Sequence, residues 1–143
     1  MSFNVLIVDD SSAMRAVIKK VIGLSGFKMD SCLEAENGRQ AMDLLSDQWV
    51  DVIISDINMP EVNGLEFLEL LRENETLKEI PVIMITTEAS EQRMQGAFDR
   101  GAKGFIKKPF LPEEIKRVLY KVIGVGSDGQ YEEDTRDADE LDF

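Results

Sequence analysis

Four short runs of almost unbroken apolar residues punctuate the chain, and polar residues end each of them. Val5-Leu6-Ile7-Val8 runs into Asp9-Asp10, and Val52-Ile53-Ile54-Ser55 into Asp56. Pro81-Val82-Ile83-Met84-Ile85 runs into Thr86-Thr87, and Phe105-Ile106-Lys107 into Lys108-Pro109. Runs this short, without polar alternation, predict strands buried on both faces, as in a parallel sheet covered by helices. A further, weaker strand is predicted over Met29–Ala35.

Between the strands the apolar period becomes helical. Met14, Val17, Ile18, Val21 and Ile22 keep that spacing after Ser11 or Ser12, either of which suits an N-cap, and Gly26 closes the helix. Residues 38–48 predict a second helix burying Ala41, Leu44 and Leu45. Residues 58–64 predict a loop, in which Pro60 holds Met59 extended and Asn63-Gly64 supplies turn chemistry. Leu65, Leu68 and Leu71 mark a third helix. Ser90 caps a fourth, through Met94, Ala97 and Phe98, that stops at Gly101. Pro112 opens a fifth, with Glu113 and Glu114 at the positive end of its dipole and Ile115, Val118, Leu119 and Val122 as its buried stripe. Alternation of this kind predicts an α/β fold: a parallel sheet with right-handed crossovers and helices on both faces. Trp49 falls at a helix-to-strand junction and reads as packing, as do Met14, Met42 and Met84, whereas Met59 and Met94 are candidate surface contacts.

In an open parallel sheet the C-terminal strand ends share one edge, where ligands bind. Asp9, Asp10, Asp56, Thr86 and Lys108 are therefore expected to converge although they are far apart in the chain. One aspartate after a strand is commonly a cap or turn residue. Here each polar group ends a different buried strand, which points to a site. Clustered carboxylates repel unless a cation sits among them, and Mg2+ suits because it takes a few hard oxygens and completes its shell with water or phosphate. Asp56 is then either a third ligand or a nucleophile, since a carboxylate can attack phosphorus. Phosphoryl transfer needs chiefly positioning and charge neutralisation, to which Lys108 would contribute a compact charge and Thr86 a hydroxyl.

Composition narrows the choice further. The 143 residues contain no histidine, which excludes Ser-His-Asp and Cys-His catalysis and His-ligated zinc. Any phosphohistidine in this chemistry must come from another protein. Cys32 is the single cysteine and reads as packing. Neither a secretory signal nor a membrane-length apolar stretch is seen, so a cytoplasmic location without membrane insertion is expected. The net charge is −12, and the segment 126–143 holds eight of the acids against Arg136 alone. No basic stripe offers itself to nucleic acid.

The combination of Asp9-Asp10, Asp56-x-Asn58-Met59-Pro60 through Gly64, Thr86 and Lys108-Pro109-Phe110 resembles the receiver domain of bacterial two-component response regulators, in particular the single-domain chemotaxis regulators. The resemblance implies a flavodoxin-like, doubly wound sheet of five parallel strands in the order 2-1-3-4-5, with five helices. It implies Asp56 as phospho-acceptor from a sensor histidine kinase, with Asp10, Asp56 and the backbone carbonyl of Asn58 binding Mg2+ directly and Asp9 largely through water. Thr86 would be the switch hydroxyl, Phe105 the aromatic that moves with it, and Lys108 the phosphoryl clamp after a cis Lys108-Pro109 bond. Asn58 and Glu88 would tune phosphoryl lifetime. Output would be protein binding on the face of the fourth helix, fifth strand and fifth helix, by a monomer or weak dimer. Glu91 and Val118 stand where enteric chemotaxis regulators carry lysines, and Ile57 and Phe105 where they carry Trp and Tyr.

A Mg2+-dependent phosphohydrolase with an aspartyl nucleophile is the alternative. It usually needs a second acid two residues after the nucleophile, where Ser11 and Asn58 stand here. A flavin or nucleotide carrier would need a glycine-rich phosphate loop after the first strand, where Asp9-Asp10-Ser11-Ser12 stands instead. The expected organisation is thus a receiver domain over residues 1–125, with no output domain, and an acidic tail over 126–143. The tail's composition suits a disordered solubiliser. A sharper expectation has its end, Ala138 to Phe143, docking on the output face among Arg93, Arg100, Lys103, Lys107 and Lys121.

Overall fold

A computed structural model describes residues 2–59, 62–87 and 90–124. The acidic tail, and with it the second half of the expected organisation, lies outside the described residues, as does Glu88. The elements alternate strictly: β1 (Phe3–Val8), α1 (Ser12–Ser25), β2 (Met29–Ala35), α2 (Gly38–Leu45), β3 (Val52–Asp56), α3 (Gly64–Arg72), β4 (Val82–Thr86), α4 (Glu91–Asp99), β5 (Gly104–Lys107) and α5 (Pro112–Ile123). The strands form one parallel sheet in the order β2-β1-β3-β4-β5.

Because successive strand residues face opposite sides, each central strand feeds two cores. Leu6 and Val8 of β1, Ile53 of β3 and Met84 of β4 pack under α2, α3 and α4, around Phe67, Leu68 and Leu71. Val5 and Ile7, Ile54, Ile83 and Ile85 pack under α1 and α5, against Ile18, Ile22, Ile115 and Leu119. Every residue of β3 and β4 is buried. Burying a side chain such as Ile53 or Ile83 contributes about 1.5–3 kcal/mol, so these strands anchor the sheet and hold its polar C-terminal ends in place.

Local chemistry sets the helix boundaries. The Ser11 side chain accepts from the Met14 amide, Ser90 from Arg93, and Asn63 forms a reciprocal capping box with Glu66. Gly26 and Gly101 adopt left-handed φ values of 89° and 106°, as chain-reversing residues after α1 and α4 should. At Gly64 the requirement is space. Its amide donates to the Ile57 carbonyl at 2.8 Å. A Cβ there would collide with the Asp56 carbonyl and stand 2.7 Å from the Ile57 Cα. Glycine thereby lets the start of α3 sit against the end of β3.

Several burial expectations are corrected. Helix α2 ends at Leu45 rather than at residue 48, and the amides of Asp47 and Gln48 turn back onto the Leu44 carbonyl. Trp49 is 53% exposed rather than packed. Met59, expected at the surface, is buried in the core beneath α2 and α3. Val17 and Phe98, apolar positions of α1 and α4, are 48% and 41% exposed. A helix lying on a flat sheet buries a narrower stripe than its apolar positions span. Met14 and Met42 are partly buried and Met84 fully, and Cys32 packs against the α1/α5 core.

Candidate functional site

The edge formed by the ends of β1, β3, β4 and β5 gathers the expected groups. Carboxylate oxygens of Asp9, Asp10 and Asp56 all lie within 4.8 Å of one another. Asp9 and Asp56 are buried, Asp10 is exposed, so the cluster opens to solvent on the Asp10 side. Lys108 Nζ stands 3.4 Å from Asp9 Oδ2 and 3.8 Å from Asp56 Oδ2, bridging the first and third strands from the end of the fifth. The Lys108-Pro109 bond is cis, as expected, and the Lys108 amide donates to the Thr86 carbonyl at 2.8 Å.

The two buried carboxylates each accept from a nearby backbone amide. Asp9 Oδ1 accepts from the Ser11 amide at 2.9 Å. Its carbonyl accepts from Arg15 Nη1 at 2.6 Å, while Arg15 Nε donates to Glu34 at 2.8 Å. Asp56 Oδ1 accepts from the Ile57 amide at 2.7 Å. Burial pushes the Asp56 carboxyl above its usual range; Lys108 opposes that shift, the neighbouring Asp9 adds to it, and the Ile57 and Asn58 amides oppose it. A cation placed among the three acids would relieve the repulsion. The donor set is all oxygen, exposed on one side, and so fits a hard divalent cation that keeps part of its water shell. A thiophilic metal finds no soft ligand here.

Thr86 is buried at the end of β4, in register with Lys107 across the β4/β5 ladder. Phe105 is half-buried, its ring 6.4 Å from that of Phe98. Asn58 is exposed at the rim, and its Oδ1 accepts from Arg93 Nη1 at 3.3 Å. Arg93 and Arg15 are the site neighbours that sequence reading missed. In the sequence Arg93 reads as a base of the output face, because no local signal marks its reach to a residue 35 positions away. Arg100 likewise turns to α3, where its Nε lies 2.9 Å from Glu69. Two of the five bases expected to receive the tail are therefore engaged on the α3 side.

The sequence pattern of the response regulator receiver domain matches residues 5–120. The chain belongs to that family. The Campylobacter jejuni chemotaxis protein CheY homolog is 43% identical over 125 residues, covering 87% of this chain and 95% of that protein. Helicobacter pylori CheY1 is 41% identical over 122 residues, covering 85% and 97%. The solved structure of Vibrio cholerae CheY4 superposes with a TM-score of 0.75 at 35% identity, covering 85% of this chain and 99% of that one. The strand order implied by the resemblance is the one observed. This is a receiver domain of the kind found in chemotaxis response regulators, a phosphorylation-dependent switch rather than a phosphohydrolase. Among the described residues no helix is long and apolar enough to cross a membrane.

Proposed function

We infer that Asp56 accepts a phosphoryl group from a phosphohistidine of a sensor kinase and that the modified chain signals by binding another protein. The observation that carries this reading is the placement of Asp56 beside Asp9, Asp10 and Lys108 at the open edge of the sheet. An oxygen of the Asp56 carboxylate attacks phosphorus while the donor's N–P bond breaks and the histidine leaves with the electron pair. Asp9, Asp10, Asp56 and the Asn58 carbonyl would hold Mg2+, which when bound neutralises charge on the carboxylates and the phosphoryl oxygens. Lys108, tethered to Asp9, screens the attacking carboxylate and then meets a phosphoryl oxygen. Thr86 donates its hydroxyl to another oxygen and thereby biases Phe105 and the face of α4, β5 and α5, where the target binds. The chain's covalent chemistry is confined to gaining and losing this one group, with Asn58 and Glu88 setting how long it stays.

Labelling tests this directly. Acetyl phosphate with Mg2+ should add one phosphoryl group to Asp56, located by mass spectrometry of the intact and digested protein. Asp56→Asn should abolish the label, and so should chelation of the metal. Undiminished labelling of the variant, or labelling in excess EDTA, would refute the assignment.

A further inference from the structure

The adjacent acids Asp9 and Asp10 are held very differently. The Asp9 amide donates to the Ala35 carbonyl at 3.0 Å, and the Asp9 carbonyl accepts from Arg15 Nη1 at 2.6 Å. Its carboxylate accepts from the Ser11 amide at 2.9 Å, and the Arg15 amide donates to the Ser11 carbonyl at 3.0 Å. Asp10 is exposed, and among the described residues no hydrogen bond or ion pair holds its carboxylate. The direction in which Asp10 leaves the chain is therefore set by the peptide that joins it to Asp9. The oxygen of that peptide is the one Arg15 grips.

Arg15 is itself locked. Its Nε lies 2.8 Å from Glu34, and only 12% of its side chain is exposed. A guanidinium presents its donors in one rigid plane, so a single head joins the end of β1, the start of α1 and the end of β2. Glu34 precedes Ala35, which takes the Asp9 amide, so both ties run to the same stretch of β2. Charge does not explain the arrangement, because a cation beside three carboxylates opposes the binding of another cation.

We propose that Arg15, anchored by Glu34, is a positioning residue that fixes the Asp9-Asp10 peptide so that the acid cluster selects Mg2+ over the larger Ca2+. The proposal rests on the reading of the cluster as a Mg2+ site. Mg2+ demands near-ideal octahedral geometry with short oxygen contacts, whereas Ca2+ accepts more oxygens, longer contacts and looser angles. Acids held at one spacing favour Mg2+, and acids free to splay lose that preference. Partners that orient metal ligands from outside act in this way.

Full-length wild type, Arg15→Ala and Glu34→Ala are titrated with MgCl2 and, separately, with CaCl2, followed by amide NMR. Both ions carry the same charge, so a change of local charge moves both affinities together and leaves their ratio alone. In Arg15→Ala the Mg2+ affinity should fall about tenfold and the Ca2+ affinity by much less. Charge alone predicts the opposite sign, tighter binding of both ions once the guanidinium is gone. Glu34→Ala keeps the guanidinium but frees it, and should lower the Mg2+-to-Ca2+ ratio by a smaller factor. Because the Glu34 side chain is 37% exposed, this variant reports even where Arg15→Ala does not fold. An unchanged ratio in either folded variant, whether the two affinities rise or fall together, overturns the proposal. Should neither ion shift the Asp10 and Asp56 amides of wild type, the reading of the cluster as a metal site fails first and carries this proposal with it.

Discussion

Helices α4 and α5 flank the same edge strand and are built in opposite ways. Helix α5 buries Ile115, Leu119 and Tyr120 and closes over β5 so tightly that a Cβ at Gly104 would stand 2.9 Å from Val118. Helix α4 buries Ala97 alone and leaves Phe98 at the surface. It is held instead by side-chain contacts, Arg100 to Glu69, Arg72 to the Asp99 carbonyl and Arg93 to Asn58. Apolar burial is lost whenever a helix moves, whereas exposed polar contacts exchange partners at little cost. A phosphorylation-dependent switch built on this fold therefore has one helix anchored by apolar burial and one held by exchangeable contacts.

The contrast is open to direct attack. Leu119→Ala, which empties a fully buried site under α5, should destabilise the domain by about 2–5 kcal/mol in urea unfolding. Phe98→Ala, at a half-exposed site on α4, should cost less than about 1 kcal/mol. Similar losses in the two variants would break the comparison at its root.

A second measurement concerns Asp56 itself. The Asp56 carboxyl is raised above its usual range chiefly by burial, so its charged form opposes folding. In metal-free buffer near neutral pH, Asp56→Asn should therefore be more stable than wild type. A gain of ~1 kcal/mol corresponds to about 4 °C in Tm for a domain of this size. The sign follows from linkage: below the ordinary carboxyl range both folded and unfolded chains are protonated and the penalty vanishes. As pH rises, the unfolded chain ionises first, and wild type loses stability until the raised folded pKa is passed. The advantage of Asp56→Asn should accordingly shrink as pH falls through that window. An advantage independent of pH would assign the effect to something other than this charge.

The smallest effect sharpens the picture most. Arg100→Ala removes a half-exposed ion pair and should change global stability by only a few tenths of a kcal/mol. Hydrogen exchange should nonetheless quicken across α4 while the amides of α5 keep their protection, because local opening depends on local contacts. Equal acceleration in both helices would show them to open as one unit.

Much of this molecule follows from sequence alone, and for a local reason. Capping by Ser90 and by one of Ser11 and Ser12, reversal at Gly26 and Gly101, and the proline start of α5 depend on residues within one turn of each other. Unbroken apolar runs must become doubly buried strands, and in a parallel sheet their polar ends must share an edge. The pattern therefore brings Asp9, Asp10, Asp56, Thr86 and Lys108 to one place. Tertiary structure decided what depends on neighbours remote in the chain. Periodicity marks which side chains are apolar, not which of them another element will cover, so Trp49 and Met59 depart from expectation while the apolar Val17 and Phe98 stay at the surface. It decided too that Arg93 turns from the output face to Asn58 and that Arg15 braces Asp9. Burial around Asp56, which raises its carboxyl pKa, is likewise a property of packed strands and helices, since desolvation exists only once the chain has folded.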